Sequence, residues 1–128
     1  MITLLYGSIL GVQLIVMTVR VVLLRRSHSV GLGAGEHRDL ERAIRAHANL
    51  IEYAPLALIL MALLEQNSAP AWQLHSLGAT LVVSRLLHAW GLSRHSGTSF
   101  GRMVGMLGTV LVILSASLLG LLRWFSGS

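Results

Sequence analysis

Four apolar stretches limit what this chain can become. Residues 2–24, 72–92 and 104–122 are long, predominantly apolar segments, and residues 53–64 form a shorter one with a polar extension before it. A helix needs about 20 apolar residues to cross the hydrocarbon core of a bilayer, so each stretch is read as one membrane helix. Of the 128 residues, 54% are hydrophobic and 12% charged, too apolar a balance for a water-soluble domain of this size. The expected fold is an all-α membrane protein, a four-transmembrane-helix bundle in antiparallel up-down order. It is expected as one domain over residues 1–128, with helices over 2–25, 39–64, 71–92 and 101–123.

The first stretch lacks a basic leader and a small-residue cleavage site before Arg25 and Arg26, so it is expected to be a retained helix and not a signal peptide. Every basic residue is arginine, and the formal charge is +5. These arginines flank apolar segments and form no solvated stripe, which argues against nucleic acid as a partner. Arg20, Arg25, Arg26, Arg38, Arg42 and Arg45 surround the first connection, and Arg94 and Arg102 flank the third. The positive-inside bias then predicts an integral, multi-pass protein with both termini outside and these connections in the cytoplasm. Arg123 is a mild counter-signal. With no cysteine, the chain has no disulfide, thiolate metal site or cysteine nucleophile, and any thiol chemistry must use a thiol brought by a ligand. No metal is expected.

Residues 27–35 form a Gly/Ser-rich connector. Its glycines look like a phosphate loop, but no strand precedes them and no Lys-Ser/Thr follows. Asp39 is the expected N-cap of the second helix, and Pro55 lies within that helix, where it removes the hydrogen bond to the carbonyl of Ile51. The short turn at residues 66–70 makes the second and third helices antiparallel neighbours. Two small-xxx-small pairs, Gly7/Gly11 and Gly101/Gly105, permit close helix packing.

Within this frame Glu52 is a carboxylate where lipid should be. At about 1.5 Å per residue it lies roughly 20 Å from the turn that follows its helix. That is about 10 Å below the opposite surface of a core about 30 Å thick. A charge at such depth costs on the order of 3 kcal/mol unless it is partnered. Arg45, Asn49 and Glu52 fall within about 60° of one helical face. Arg85 of the third helix reaches nearly the same depth, His88 lies one turn further, and Arg102 opens the fourth helix. A Glu52–Arg85 ion pair is the structural alternative, with Arg20, Arg38, Arg94 and Arg123 as interfacial anchors. The arginines outnumber the buried acid, however, and this points to an anionic ligand bearing carboxylates and an ammonium. A short acidic peptide entering from the arginine-rich side fits.

The pattern Glu41-Arg42-x-x-Arg45-Ala46-x-x-Asn49-x-x-Glu52-Tyr53-x-Pro55 closely resembles the second-helix signature of the MAPEG family, the membrane-associated proteins of eicosanoid and glutathione metabolism. The placement of Arg25/Arg26, Arg85 and Arg102 extends the resemblance over nearly the whole chain, and compact bacterial members of the family look closer to it than the human enzymes do. The resemblance implies a homotrimer in a bacterial inner membrane, with glutathione bound as co-substrate between subunits near the cytosolic face. By it, Arg45, Asn49, Glu52 and Tyr53 would hold glutathione, and Arg85 and His88 are expected among the glutathione-binding residues. Arg25 or Arg26, together with His47, would reach it from the adjacent subunit. Arg102 would be the catalytic residue, stabilising the thiolate. The third helix departs from the eukaryotic pattern, with His88 and Leu92 where two tyrosines are expected.

The function expected on this reading is a glutathione-dependent transferase or peroxidase acting on a hydrophobic electrophile or lipid hydroperoxide that arrives through the membrane lipid. A non-catalytic glutathione-binding subunit is the alternative, favoured by the missing tyrosines. A small cation-coupled exporter is a third reading. It would place its acid in the first helix, which here has none.

Overall fold

The computed structural model describes residues 1–94 and 99–127. It consists of four helices: α1 (Ile2–His28), α2 (Arg38–Gln66), α3 (Ala71–Arg94) and α4 (Phe100–Ser126). There are no strands among the described residues. The up-down order is visible in the pairs that tie the helices together. The amides of Ile2 and Thr3 at the start of α1 donate to the Glu65 carboxylate at the end of α2. Tyr6 of α1 bonds His75 near the start of α3, and Arg123 near the end of α4 donates to the carbonyl of Asn67 just after α2. α2 and α3 form the centre of the bundle, and α1 and α4 make no contact with each other among the described residues.

α1, α2 and α4 are long and apolar enough to cross a membrane. At 24 residues, α3 is about 36 Å long, ample to span, but Gln73, His75, Ser76, Ser84, Arg85 and His88 dilute its apolarity. Those side chains explain why this helix packs most extensively: Ser84, Arg85 and His88 are all buried within the bundle.

The core is a seam along α2, Leu50, Ala54, Ala57, Met61 and Leu64, meeting Leu74, Leu77 and Leu81 of α3, Val112 and Ala116 of α4, and Tyr6 and Leu10 of α1. The alternating steps of four and three residues keep one stripe of α2 facing its neighbours. α2 runs unbroken through Pro55. Membrane helices tolerate an internal proline when neighbours re-satisfy the freed carbonyl.

The first connection departs from expectation at one point. Asp39 does not cap α2. His37 holds that position in an extended conformation, and its carbonyl accepts the amide of Glu41 at 3.0 Å. The Asp39 carboxylate turns back to His28 Nε2 at 2.9 Å, tying the end of α1 to the start of α2. The His28 and His37 rings stack 3.9 Å apart beside this pair. Gly33 and Gly35 take positive φ in this connector, which serves as a turn, as its composition suggests.

Close approach of α3 and α4 is the packing feature that shapes the site. A Cβ on Gly91 would lie 2.7 Å from Ser99 Oγ, and one on Gly105 would press into the backbone of Ser84 and His88. Of the two small-residue pairs seen in the sequence, Gly101/Gly105 faces this contact. Among the described residues, no neighbouring helix comes within 4 Å of a Cβ on Gly11. Residues 95–98 of the third connection lie outside the described residues. Beyond them, Ser99 caps α4, its hydroxyl accepting the amide of Arg102.

Candidate functional site

Arg85 is the centre of the polar cluster. Its residue surface is 1% exposed, yet it has no carboxylate partner among the described residues. One terminal nitrogen donates to Asn49 Oδ1 at 2.6 Å and also lies 3.3 Å from His88 Nδ1. The other donates to Thr109 Oγ1 of α4 at 3.3 Å, while the hydroxyl of Thr109 is itself anchored to the carbonyl of Gly105 at 2.8 Å. Among the described residues, Arg85 Nε has no hydrogen-bond partner, and neither does the buried Nε of Arg42.

The chain's acids are all committed or turned elsewhere. Asp39 binds His28, Glu65 holds the start of α1, and Glu36, Glu41 and Glu52 are exposed. The Glu52–Arg85 ion pair raised as the structural alternative is therefore not formed. The two residues share a depth but lie in different directions around the bundle.

Beside this cluster opens a cavity of about 410 Å³, lined by Asn49, His88, Ser99, Arg102, Met103, Met106 and Leu107. It brings together three of the residues singled out in the sequence: Asn49, His88 and Arg102. Arg85 stands immediately behind, in contact with the first two. The glycine contact between α3 and α4 allows this proximity, since it seats the amide of Arg102 against Gly91.

The remaining residues lie around this nucleus. Arg45 and Glu52 are exposed on a face of α2 that no other helix of the chain covers, and Tyr53 is half-buried. His47 points the other way, toward α1, with its Nε2 3.0 Å from Thr18 Oγ1. Arg25 folds over the connector and donates to the carbonyls of Gly33, at 2.8 Å, and Val30. Arg26 is exposed. Within one chain, then, Asn49, Arg85, His88 and Arg102 form one group, while Arg25, Arg26, Arg45, His47 and Glu52 do not join it. Thr109 and Ser99 were not anticipated. Ser99 fits a helix-capping pattern three residues before Arg102, but a threonine within an apolar run gives no signal of its own.

The sequence profile of the MAPEG family matches residues 3–122. The chain belongs to the MAPEG family. Membership carries a family-level association with membranes and with glutathione. The chain is also similar to the "Inner membrane protein YecN" of Escherichia coli (strain K12). The two are 35% identical over 114 residues, spanning 89% of this chain and 86% of the relative. YecN of a second Escherichia coli strain gives the same figures. The resemblance read from the second-helix signature is thus borne out over nearly the full length of this MAPEG protein, and with it the multi-pass membrane architecture.

Proposed function

We propose that this protein is a glutathione-dependent membrane transferase or peroxidase acting on hydrophobic electrophiles. The observation that carries this reading is Arg85, a buried guanidinium with no carboxylate partner among the described residues, standing behind a cavity that Arg102 lines. A buried charge lacking a counter-charge is strongly unfavourable, and an anionic guest bound there would supply one. Glutathione brings two carboxylates and, once ionised, a thiolate. The orphaned Nε atoms of Arg42 and Arg85 are donors suited to such a ligand.

The chemistry follows from the charges. Arg102 would stabilise the thiolate and so raise its fraction at neutral pH, with the thiol proton passing to solvent. In transfer, the sulfur forms a bond to the electrophilic carbon, and the leaving group departs with the displaced electron pair. In the peroxidase reaction, two glutathione thiols are oxidised to the disulfide, and their two electrons and two protons cleave the O–O bond of a hydroperoxide to give an alcohol and water. Met103, Met106 and Leu107 give the cavity an apolar wall toward which a lipid-soluble electrophile can enter.

Arg45 and Glu52 support assembly of the site from more than one chain. They sit two helical turns apart on the uncovered face of α2, and a neighbouring copy would convert that face into the second wall of the pocket. A homotrimer, with Arg25 or Arg26 and His47 approaching from the adjacent subunit, is the arrangement proposed. Placement in an inner membrane follows the similarity to YecN, and the arginine distribution sets the site toward the cytoplasm.

Titrating glutathione into purified protein tests the proposal by thermal stability and the ultraviolet thiolate band. Both signals should rise with glutathione, and the thiolate band should vanish in Arg102→Ala. No stabilisation by glutathione would sink the reading. His88 and the buried Leu92, where eukaryotic members are expected to have tyrosines, favour one alternative: a subunit that binds glutathione without activating it. Stabilisation without a thiolate band or turnover would select it.

A further inference from the structure

On the outer side of the bundle, α1 and α3 enclose an apolar groove of about 540 Å³ between Val12 and Val16 on one side and Leu86 and Trp90 on the other. At one end the groove meets positive charge. Arg20 lines it and donates to Ser93 Oγ at 2.6 Å, while Arg94 lies over the Trp90 ring, 4.9 Å from its centroid. From this juxtaposition of an apolar groove and paired arginines we infer that the α1–α3 face binds an anionic phospholipid. An acyl chain would lie in the groove, with the phosphate between Arg20 and Arg94.

Depth supports this assignment. Arg20 lies 18 residues beyond the first residue of α1, which is about 27 Å along a helix. The hydrocarbon core is about 30 Å thick, so the guanidinium reaches the headgroup level just where the groove ends. Charge supports it as well. The ion pairs among the described residues use Asp39 and Glu65, and neither pair involves Arg20 or Arg94. Both arginines are exposed, and each is already oriented by a neutral neighbour, Ser93 or the Trp90 ring. A positively charged pocket between membrane helices is a recognised setting for anionic headgroups. A zwitterionic lipid would fill the groove equally well but would bring a compensating cation to the same place.

Trp90 is a built-in reporter, because Trp72 and Trp124 lie at the opposite end of the bundle. In the full-length chain carrying Trp72→Phe and Trp124→Phe, fluorescence quenching by bromine-labelled acyl chains reads occupancy of the groove. Phosphatidylglycerol should quench at about thirtyfold lower mole fraction than phosphatidylcholine, the effect expected from two interfacial arginines. Arg20→Gln with Arg94→Gln should bring the two curves together, while the double lysine replacement should keep them apart. Native mass spectrometry of the unsubstituted chain provides a second readout, in which phosphatidylglycerol adducts should survive activation that strips phosphatidylcholine. A single quenching curve for both lipids, a preference that persists in the double glutamine variant, or equal adduct retention would overturn the assignment.

Discussion

The side-chain oxygen of Asn49 accepts a 2.6 Å hydrogen bond from Arg85, joining α2 to α3 at the buried cation. That bond places an amide, and not a carboxylate, against the most deeply buried charge in the bundle. The choice keeps the positive charge available to a ligand while holding its geometry.

Replacing Asn49 separates these two roles. Asn49→Ala removes a hydrogen bond to a buried charge, which costs about 1.5–3 kcal/mol, and should lower both the melting temperature and glutathione affinity. Asn49→Asp should leave the melting temperature at or above wild type by pairing with Arg85, yet weaken glutathione binding more than alanine does. Thermal denaturation and calorimetric titration on the two variants check this ordering.

Arg102 should control the acidity of bound thiol. A free thiol ionises near about 8.5, and a fixed cation lowers that value, so thiolate should appear at lower pH in the wild type than in solution. In Arg102→Gln the midpoint should return toward the free value, with the thiolate band lost as pH falls through it. A pH titration of that band with bound glutathione measures the shift. An unchanged midpoint would remove Arg102 from the chemistry.

The α3–α4 contact should tolerate no side chain. Gly105→Val forces a branched group into the backbone of Ser84 and His88, and overpacking of this kind costs about 1–3 kcal/mol or more. The variant should melt earlier and bind glutathione less well. Gly11→Ala, with open space at its Cβ, is the control and should change neither.

Glu65 should govern the start of α1. Its carboxylate accepts the amides of Ile2 and Thr3, which have no partner within their own helix. Glu65→Gln should therefore increase hydrogen exchange at the first turn of α1 and leave exchange across α3 unchanged. Peptide-resolved exchange mass spectrometry reads both regions at once.

Much of this was legible in the residues. Apolar lengths gave the number of helices, and the Arg45-Asn49-Glu52 spacing pointed to the helix whose Asn49 meets the buried Arg85. Direction around the helix was not legible to the same degree. Asn49 and Glu52 differ by about 60° around α2, which suffices to put one against Arg85 and the other on the uncovered face. Depth arithmetic alone had matched Glu52 with Arg85, because height along a helix carries no information about azimuth. The α3–α4 contact was hidden for a different reason. Gly91 and Gly105 reveal their purpose only when the backbone that fills their missing side chains is in place. Asp39 has a capping residue's chemistry, but His28 competed for its carboxylate.

The uneven polarity of α3 has a consequence for how the protein is made. With Arg85 near its middle, a solitary α3 would expose a guanidinium to hydrocarbon until Asn49 and Thr109 were both in reach. Thr109 emerges from the ribosome only after α4 is well begun, so the last two helices should enter the bilayer as a hairpin. A chain truncated before α4 should leave α3 accessible to aqueous labelling reagents, whereas the complete chain protects it.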